Sequence, residues 1–334
     1  MGDTFPKFKA AACMAAPVFL DRKATTEKAC RLIAEASANG AELVVFPEVF
    51  LPGYPYWIWL GTPTWGAPFF IELYKNAVVI GSETTDRLCA AARAANAHVV
   101  IGINERDGGT LYNTLLYISR EGKVLGRHRK LQPTIAERTV WGHGDGSDLR
   151  VFPTDVGVLG GLICWEHTMD LVRYAMVALG EEIHIAAWPG VTTLNHNPHA
   201  KIFDNVTECA ARHHALAGQT FVINVQNPID EYTIEKMGLS DKPELIAPGG
   251  GWSAIIGPSG QIIGGPLKGE EGIVYADIDL EERIMAKYAC DSIGHYARPD
   301  LVRLFLNLTP QPVVEFDDFT DTKDIAEERS NTED

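Results

Sequence analysis

The sequence predicts an α/β layered sandwich, with two sheets covered by helices. Three observations lead there. Short apolar stretches of strand length alternate with helical stretches along the chain, pairs of strands fall between helices, and no repeat or long linker divides the 334 residues. That length is within reach of one large α/β domain.

The elements follow in order. Lys9 to Ala15 reads as a first strand. Lys23 to Asn39 carries apolar residues at Ala29, Leu32, Ile33 and Ala36, a helical spacing stopped by Gly40. Leu43 to Phe46 is a buried strand. Thr84 to Asn96 is a second helix leading into the strand His98 to Asn104. Thr110 to Ser119 and Lys123 to His128 flank the turn Arg120-Glu-Gly122 and form a hairpin. Val158 to Ile163, Ile183 to Trp188 and Phe221 to Val225 are further buried strands, with helices at Asp170 to Leu179 and Asn205 to Ala217. A second hairpin, Trp252 to Ile256 with Gln261 to Ile263, turns at Gly257-Pro-Ser-Gly260, and Ile273 to Ile278 closes the sheet region. Phe50 to Phe70, rich in Pro, Gly, Trp and Tyr, and Asn227 to Gly251, polar and rich in Gly and Pro, read as long loops of the kind that often carry function. The aromatic loop would line an apolar pocket or form a subunit contact.

Composition narrows the class. Hydrophobic residues make up 46% and charged residues 22%, ordinary for a globular enzyme. No apolar run approaches the ~20 residues of a membrane-spanning helix. Net charge is −15, and residues 315–334 hold nine acidic and two basic side chains. This stretch is expected to be a solvated acidic tail beyond a domain spanning 1–314. The acidic body lacks a basic stripe, which argues against a nucleic-acid partner. Six cysteines without CxxC spacing, in a chain without a charged-then-apolar leader, point to reduced thiols in a cytoplasm and give a structural zinc site little support.

One cysteine stands apart. Val156 to Ile163 is an apolar run that stops at Cys164-Trp-Glu-His167, with a helix close behind. A thiol on such a strand-to-helix elbow is fixed by backbone and open to a ligand, as a nucleophile requires. Two other segments end similarly. Leu43-Val-Val-Phe-Pro-Glu48 delivers a carboxylate, which needs a cation or a function when buried. Lys123 to Lys130 delivers an ammonium, although Arg127-His-Arg-Lys130 reads equally as a solvated basic edge. Glu137, in the glycine-rich segment reaching Gly146, is either a loop salt-bridge residue or a second carboxylate near the thiol. Trp188, ending Ile185-Ala-Ala-Trp-Pro189, is core or pocket wall. Asn195-His-Asn-Pro-His199 with His213-His214 matches no standard metal spacing, and Gly249-Gly-Gly251 follows no strand and carries no phosphate-binding lysine.

Taken together, these residues make the chain resemble the nitrilase branch of the carbon–nitrogen hydrolase superfamily. The matching segments are Phe46-Pro-Glu48, Arg129-Lys-Leu131 with Pro133-Thr134, Glu137-Arg138, Trp141-Gly142, Gly144-Asp-Gly146 and Gly160-Gly-Leu-Ile-Cys-Trp-Glu-His167. Gly294-His-Tyr296 with Pro299-Asp300 resembles the C-terminal region of microbial enzymes of that branch. The resemblance covers about Lys9 to Phe316. It implies a four-layer αββα sandwich of two mixed sheets, a Glu48–Lys130–Cys164 triad and Glu137 as the second glutamate. It also implies hydrolysis of a nitrile to acid and ammonia through a covalent thioimidate and thioester, with neither metal nor organic cofactor. Tyr54, Trp165, His167 and Trp188 are the expected substrate-binding residues. The aromatic loop favours an arylacetonitrile or similar nitrile. Cyanide dihydratase or hydratase, amidase and non-catalytic scaffold are the alternatives. Dimers assembling into spirals are the expected partners. Two departures, Asp170 in place of an expected proline and Ala217 in place of a frequent glutamate, bear on substrate fit.

Overall fold

A computed structural model describes residues 2–312 and 314. The acidic tail expected at 315–334 lies outside the described residues.

The order is β1 (Lys7–Met14), α1 (Arg22–Ala38), β2 (Ala41–Val45), α2 (Pro63–Lys75), α3 (Glu83–Ala95), β3 (His98–Asp107), β4 (Thr110–Ile118), β5 (Val124–Arg129), β6 (Phe152–Thr154) and β7 (Gly157–Ile163). There follow α4 (Asp170–Ala178), β8 (Ile183–Trp188), α5 (Phe203–Gly218), β9 (Phe221–Gln226), α6 (Glu231–Lys236), β10 (Trp252–Ile256), β11 (Ile262–Lys268), β12 (Gly272–Asp279) and α7 (Glu282–Ala289). Among the described residues these strands form two six-stranded sheets, ordered β12-β1-β2-β3-β4-β5 and β11-β10-β9-β8-β7-β6. Both are mixed: β1-β2-β3 and β7-β8-β9 run parallel, and the outer pairings are antiparallel. This is the layered sandwich the sequence predicts.

Strand periodicity explains the layers. Ala10 and Ala12 of β1, with Leu43 and Val45 of β2, join Ile163, Ile183 and Ile185 in the core between the sheets. Their alternating neighbours Ala11, Cys13 and Val44 pack instead on Ala29 and Ile33 of α1 and Leu88 of α3. Leu162 and Met176 cover the outer face of the second sheet. A side chain such as Ile185 contributes about 1.5–3 kcal/mol when fully buried. Asp21 caps α1 by accepting from the Ala24 amide at 2.9 Å, and Gly40 at φ +87° ends the segment.

The two expected long loops each contain a helix. The Pro- and Gly-rich stretch holds α2, with Pro63 in its first turn and Thr62 accepting from the Trp65 amide. A proline lacks only a hydrogen bond that the first turn leaves open anyway. α6 sits inside 227–251, capped by Asp230.

Candidate active site

The end of β2 reaches its neighbours by crossing β3. The Phe46 amide still bonds the Val100 carbonyl at 2.8 Å, and then Pro47-Glu48-Val49 passes over Gly102. A Cβ at Gly102 would lie 2.1 Å from the Pro47 carbonyl oxygen and 2.5 Å from the Val49 nitrogen. Only glycine permits that approach. Glu48 thereby meets Asn113 of β4, whose Nδ2 donates to Glu48 Oε1 at 2.6 Å. The backbone of Asn113 also accepts from the Lys130 amide at 2.8 Å.

Lys130, one residue beyond β5, donates through Nζ to Glu48 Oε1 at 3.0 Å and to Glu137 Oε2 at 2.7 Å. Glu137 sits on the single turn Ile135–Thr139, and its Oε2 also accepts from the Thr134 amide at 2.8 Å. Tyr54 donates to Glu137 Oε1 at 2.7 Å and accepts from Trp59 Nε1 at 3.0 Å.

Cys164 follows β7 in the left-handed region, at φ +54°. For a non-glycine residue this conformation is strained by about 1–3 kcal/mol and persists only where the surroundings enforce it. Glu166 is one enforcer. Its carboxylate is buried and accepts from the Ile163 amide at 2.6 Å, the Leu131 amide at 2.7 Å and His128 Nε2 at 2.9 Å. One side chain therefore ties the residue before the thiol to the residue after the ammonium, across the two sheets. Cys164 Sγ and one oxygen each from Glu48 and Glu137 lie within 4.8 Å of one another.

Two carboxylates and one ammonium sum to −1 here. Burial, then the second carboxylate Glu137, pushes Glu48 up to about 7 against the pull of Lys130. Burial raises the Cys164 thiol well above its ordinary value, opposed chiefly by Lys130. Burial also works against the Lys130 charge, but Cys164, Glu137 and Glu48 outweigh it and keep the ammonium protonated. Moving a proton from Cys164 to Glu48 leaves the total at −1, so no net charge is created in the interior. Among the described residues Glu48 Oε2 is buried without a hydrogen-bond partner, which leaves it open to accept that proton.

A cavity of about 540 Å³ opens over this group. Tyr54, Glu137 and Cys164 line it, with apolar walls from Trp59, Trp165, Met169, Leu194, Ile202 and Phe203. Trp165 stands at the mouth, 39% exposed. Of the four residues expected to contact substrate, Tyr54 and Trp165 line the cavity. His167 and Trp188 are buried and do not. The turn after Cys164 carries His167 back beneath the elbow, where its Nδ1 meets the Cys164 carbonyl at 2.8 Å. Trp188 stacks behind it with ring centroids 4.7 Å apart, leaving Pro189 to form the wall. Asp170 and Ala217 are exposed and lie outside the cavity lining. The histidines weighed for metal are dispersed: His196 bonds the Trp59 and Leu245 carbonyls, His199 lines the cavity, and His214 joins Glu181. Asn113 and Glu166 were missing from the expected site. The signal at Asn113 was polarity within an apolar strand, whereas Glu166 lies on the short turn after the thiol.

The carbon–nitrogen hydrolase family profile matches residues 9–288. An aliphatic nitrilase of Rhodococcus rhodochrous is 45% identical over 304 residues, 90% of this chain and 82% of that protein. An arylacetonitrilase of Aspergillus niger is 41% identical over 306 residues, 89% of this chain and 88% of its own length. Among solved structures, a carbon–nitrogen hydrolase from Helicobacter pylori superposes with a TM-score of 0.72 at 23% identity, covering 88% of this chain and 96% of that one.

Proposed function

The chain belongs to the carbon–nitrogen hydrolase family, in its nitrilase branch, and from that membership we propose that it hydrolyses organic nitriles to a carboxylic acid and ammonia. The observation that carries the mechanism is a Glu48 carboxylate that has one oxygen within 4.8 Å of Cys164 Sγ and its Oε2 unpartnered among the described residues, with the Lys130 ammonium fixed between two carboxylates.

Glu48 Oε2 takes the Cys164 thiol proton and the thiolate attacks the nitrile carbon. The nitrile nitrogen gains that proton back from Glu48, leaving a thioimidate. Lys130 donates to the nitrogen as charge develops there; a donor so aimed is worth ~3–4 kcal/mol, or 10²–10³ in rate. Glu48, again a carboxylate, carries both protons of a water to the nitrogen in turn, the first as the hydroxide adds to the thioimidate carbon and the second from the tetrahedral hydroxyl as the carbonyl forms and ammonia departs. The resulting thioester is hydrolysed by a second water, which releases the acid and restores the thiol. Should the thiolate leave the tetrahedral species first, an amide is the product. Glu137 holds Lys130 and, through Tyr54, the cavity floor. Cys164→Ala is expected to abolish turnover, and wild-type rates in that variant would refute the scheme.

The substrate reading is an arylaliphatic nitrile in preference to cyanide. Support comes from the apolar cavity, whose Trp59, Trp165 and Phe203 walls offer an aryl group contact that cyanide cannot use. Ammonia release from phenylacetonitrile, a short aliphatic nitrile and cyanide separates these readings, and a nitrile compared with its own amide tests amidase activity. Self-association into dimers and spirals is proposed with it, and a strictly monomeric protein on size-exclusion chromatography would contradict that.

A further inference from the structure

Behind the thiol lies a row of buried groups that the reaction above does not use. His167 Nδ1 meets the Cys164 carbonyl at 2.8 Å, and His167 Nε2 meets His184 Nε2 at 2.9 Å. His184 Nδ1 meets Glu181 Oε2 at 2.8 Å, and Glu181 Oε1 meets His214 Nε2 at 2.6 Å. All four side chains are at most 2% exposed. The row is built for: a Cβ on Gly160 would lie 2.3 Å from Glu181 Oε2.

Counting hydrogens across these four gaps gives a definite result. A carbonyl only accepts, so His167 Nδ1 carries hydrogen. Each remaining gap needs one hydrogen, or two lone pairs face each other within 2.9 Å. Four gaps need four hydrogens, whereas three neutral imidazoles and a carboxylate supply three. We propose that the Glu181–His184–His167 row holds one permanent extra proton beneath Cys164, and that these are positioning residues whose positive end favours the Cys164 thiolate.

Neighbouring charges locate the proton. His184 and His214 draw Glu181 down to about 2, against the burial that would raise it, so it stays a carboxylate. Burial and His184 hold His167 and His214 below the ordinary imidazole range. His184 is then the imidazolium, with Glu181 on its far side and His167 between it and the thiol. Arg173 of α4 also faces this row, but its guanidinium is engaged by Asp170 and His213. Tyr117 of β4 faces Glu181, and Glu48, Lys130 and Glu137 surround the sulfur itself. A shift of the extra proton from His184 to His167 brings positive charge one ring closer as the thiolate forms.

The role, though not the hydrogen count, rests on Cys164 being the nucleophile. Glu181→Gln separates charge from structure. A glutamine amide donates to His184 and accepts from His214, so every gap is filled by neutral imidazoles and the extra proton is gone. The measurement is the pH profile of Cys164 alkylation by iodoacetamide in the full chain, resolved from the exposed Cys209 by mass spectrometry. Glu181→Gln removes the His184 charge together with the carboxylate beyond it, so what Cys164 loses is the field of an ion pair whose positive end is nearer, and alkylation at pH 7 should slow about 2- to 5-fold. Glu181→Asp, which restores the charge, should recover part of it. Superimposable profiles for wild type and Glu181→Gln would overturn the proposal. So would stoichiometric zinc in the purified protein at Glu181, His184 and His214. Should Glu181→Gln not fold, ¹⁵N-histidine NMR of the wild type decides: His184 with both nitrogens protonated at pH 8 supports the proposal, and a neutral His184 refutes it. Neither readout uses a nitrile, so failure of the nitrilase reading would appear separately, as absent ammonia release.

Discussion

Replacing Glu166 by glutamine tests whether one carboxylate holds the two sheets' strand ends in register. Both Glu166 oxygens accept from backbone amides, Leu131 on one and Ile163 on the other, and His128 adds a third bond. A glutamine has one acceptor oxygen, so its NH₂ must face one of those amides as donor against donor. A stranded buried donor costs about 1–3 kcal/mol, and losing charge assistance on the others adds roughly 1 kcal/mol, giving about 3 kcal/mol in all. The pH dependence is also determined. Glu166 is held below the ordinary carboxylate value of 4.5, because His128 and the amide bonds outweigh burial, so its contribution exists above 4.5 and is lost as pH falls. His128 is held above 6.5, with Glu166 overcoming burial, so its contribution exists below 6.5 and is lost as pH rises through the folded value. The difference between wild type and Glu166→Gln should therefore be largest between pH 4.5 and 6.5. Urea melts should show a lower midpoint with unchanged slope, and kcat should fall 10- to 100-fold as the elbow moves relative to Lys130. A variant within 0.5 kcal/mol of wild type would refute the clamp.

Other predictions follow from the same geometry. Glu48→Gln should lower kcat by 10²–10⁴ through loss of the base, while making the protein more stable above pH 7 by about 3 kcal/mol. The sign follows from the direction of the shift: the folded protein binds this proton up to about pH 7 and the unfolded chain only to about 4.5, so stability declines as pH rises between them. Calorimetry that finds the variant less stable at pH 8 would contradict this. Gly102→Ala must displace Pro47 or Val49, and kcat should drop at least tenfold with about 1–3 kcal/mol of destabilisation; an unaffected kcat would show that the crossing does not place Glu48. Tyr54→Phe strands Glu137 Oε1 and Trp59 Nε1, and is expected to lower kcat more than it raises KM.

Much of this was legible in the sequence because strand ends announce themselves. Apolar runs closing on Glu48 and Cys164, and a basic strand end at Lys130, marked the three polar groups, and the structure brings them together. Less visible were groups whose role depends on what crosses them. Gly102 sits within an ordinary strand pattern, and nothing local says that another segment passes over it. Glu181, His184 and His214 come from the β8 entry, β8 and α5, so their row exists only once the chain has folded. His167 and Trp188 went the other way: adjacency to the thiol suggested the cavity, whereas the turn after Cys164 directs His167 inward and Trp188 backs it. α2 was hidden because Pro63, Gly66 and Pro68 mimic a loop, although Pro63 occupies the helix's tolerant first turn.

The surplus negative charge buried around Lys130 has a practical consequence for anyone evolving this protein. A screen that scores heat resistance alone will enrich changes that neutralise Glu48, because they relieve the folded state at working pH. The hardiest survivors of such a campaign would be inert, so endurance and turnover must be selected in the same round.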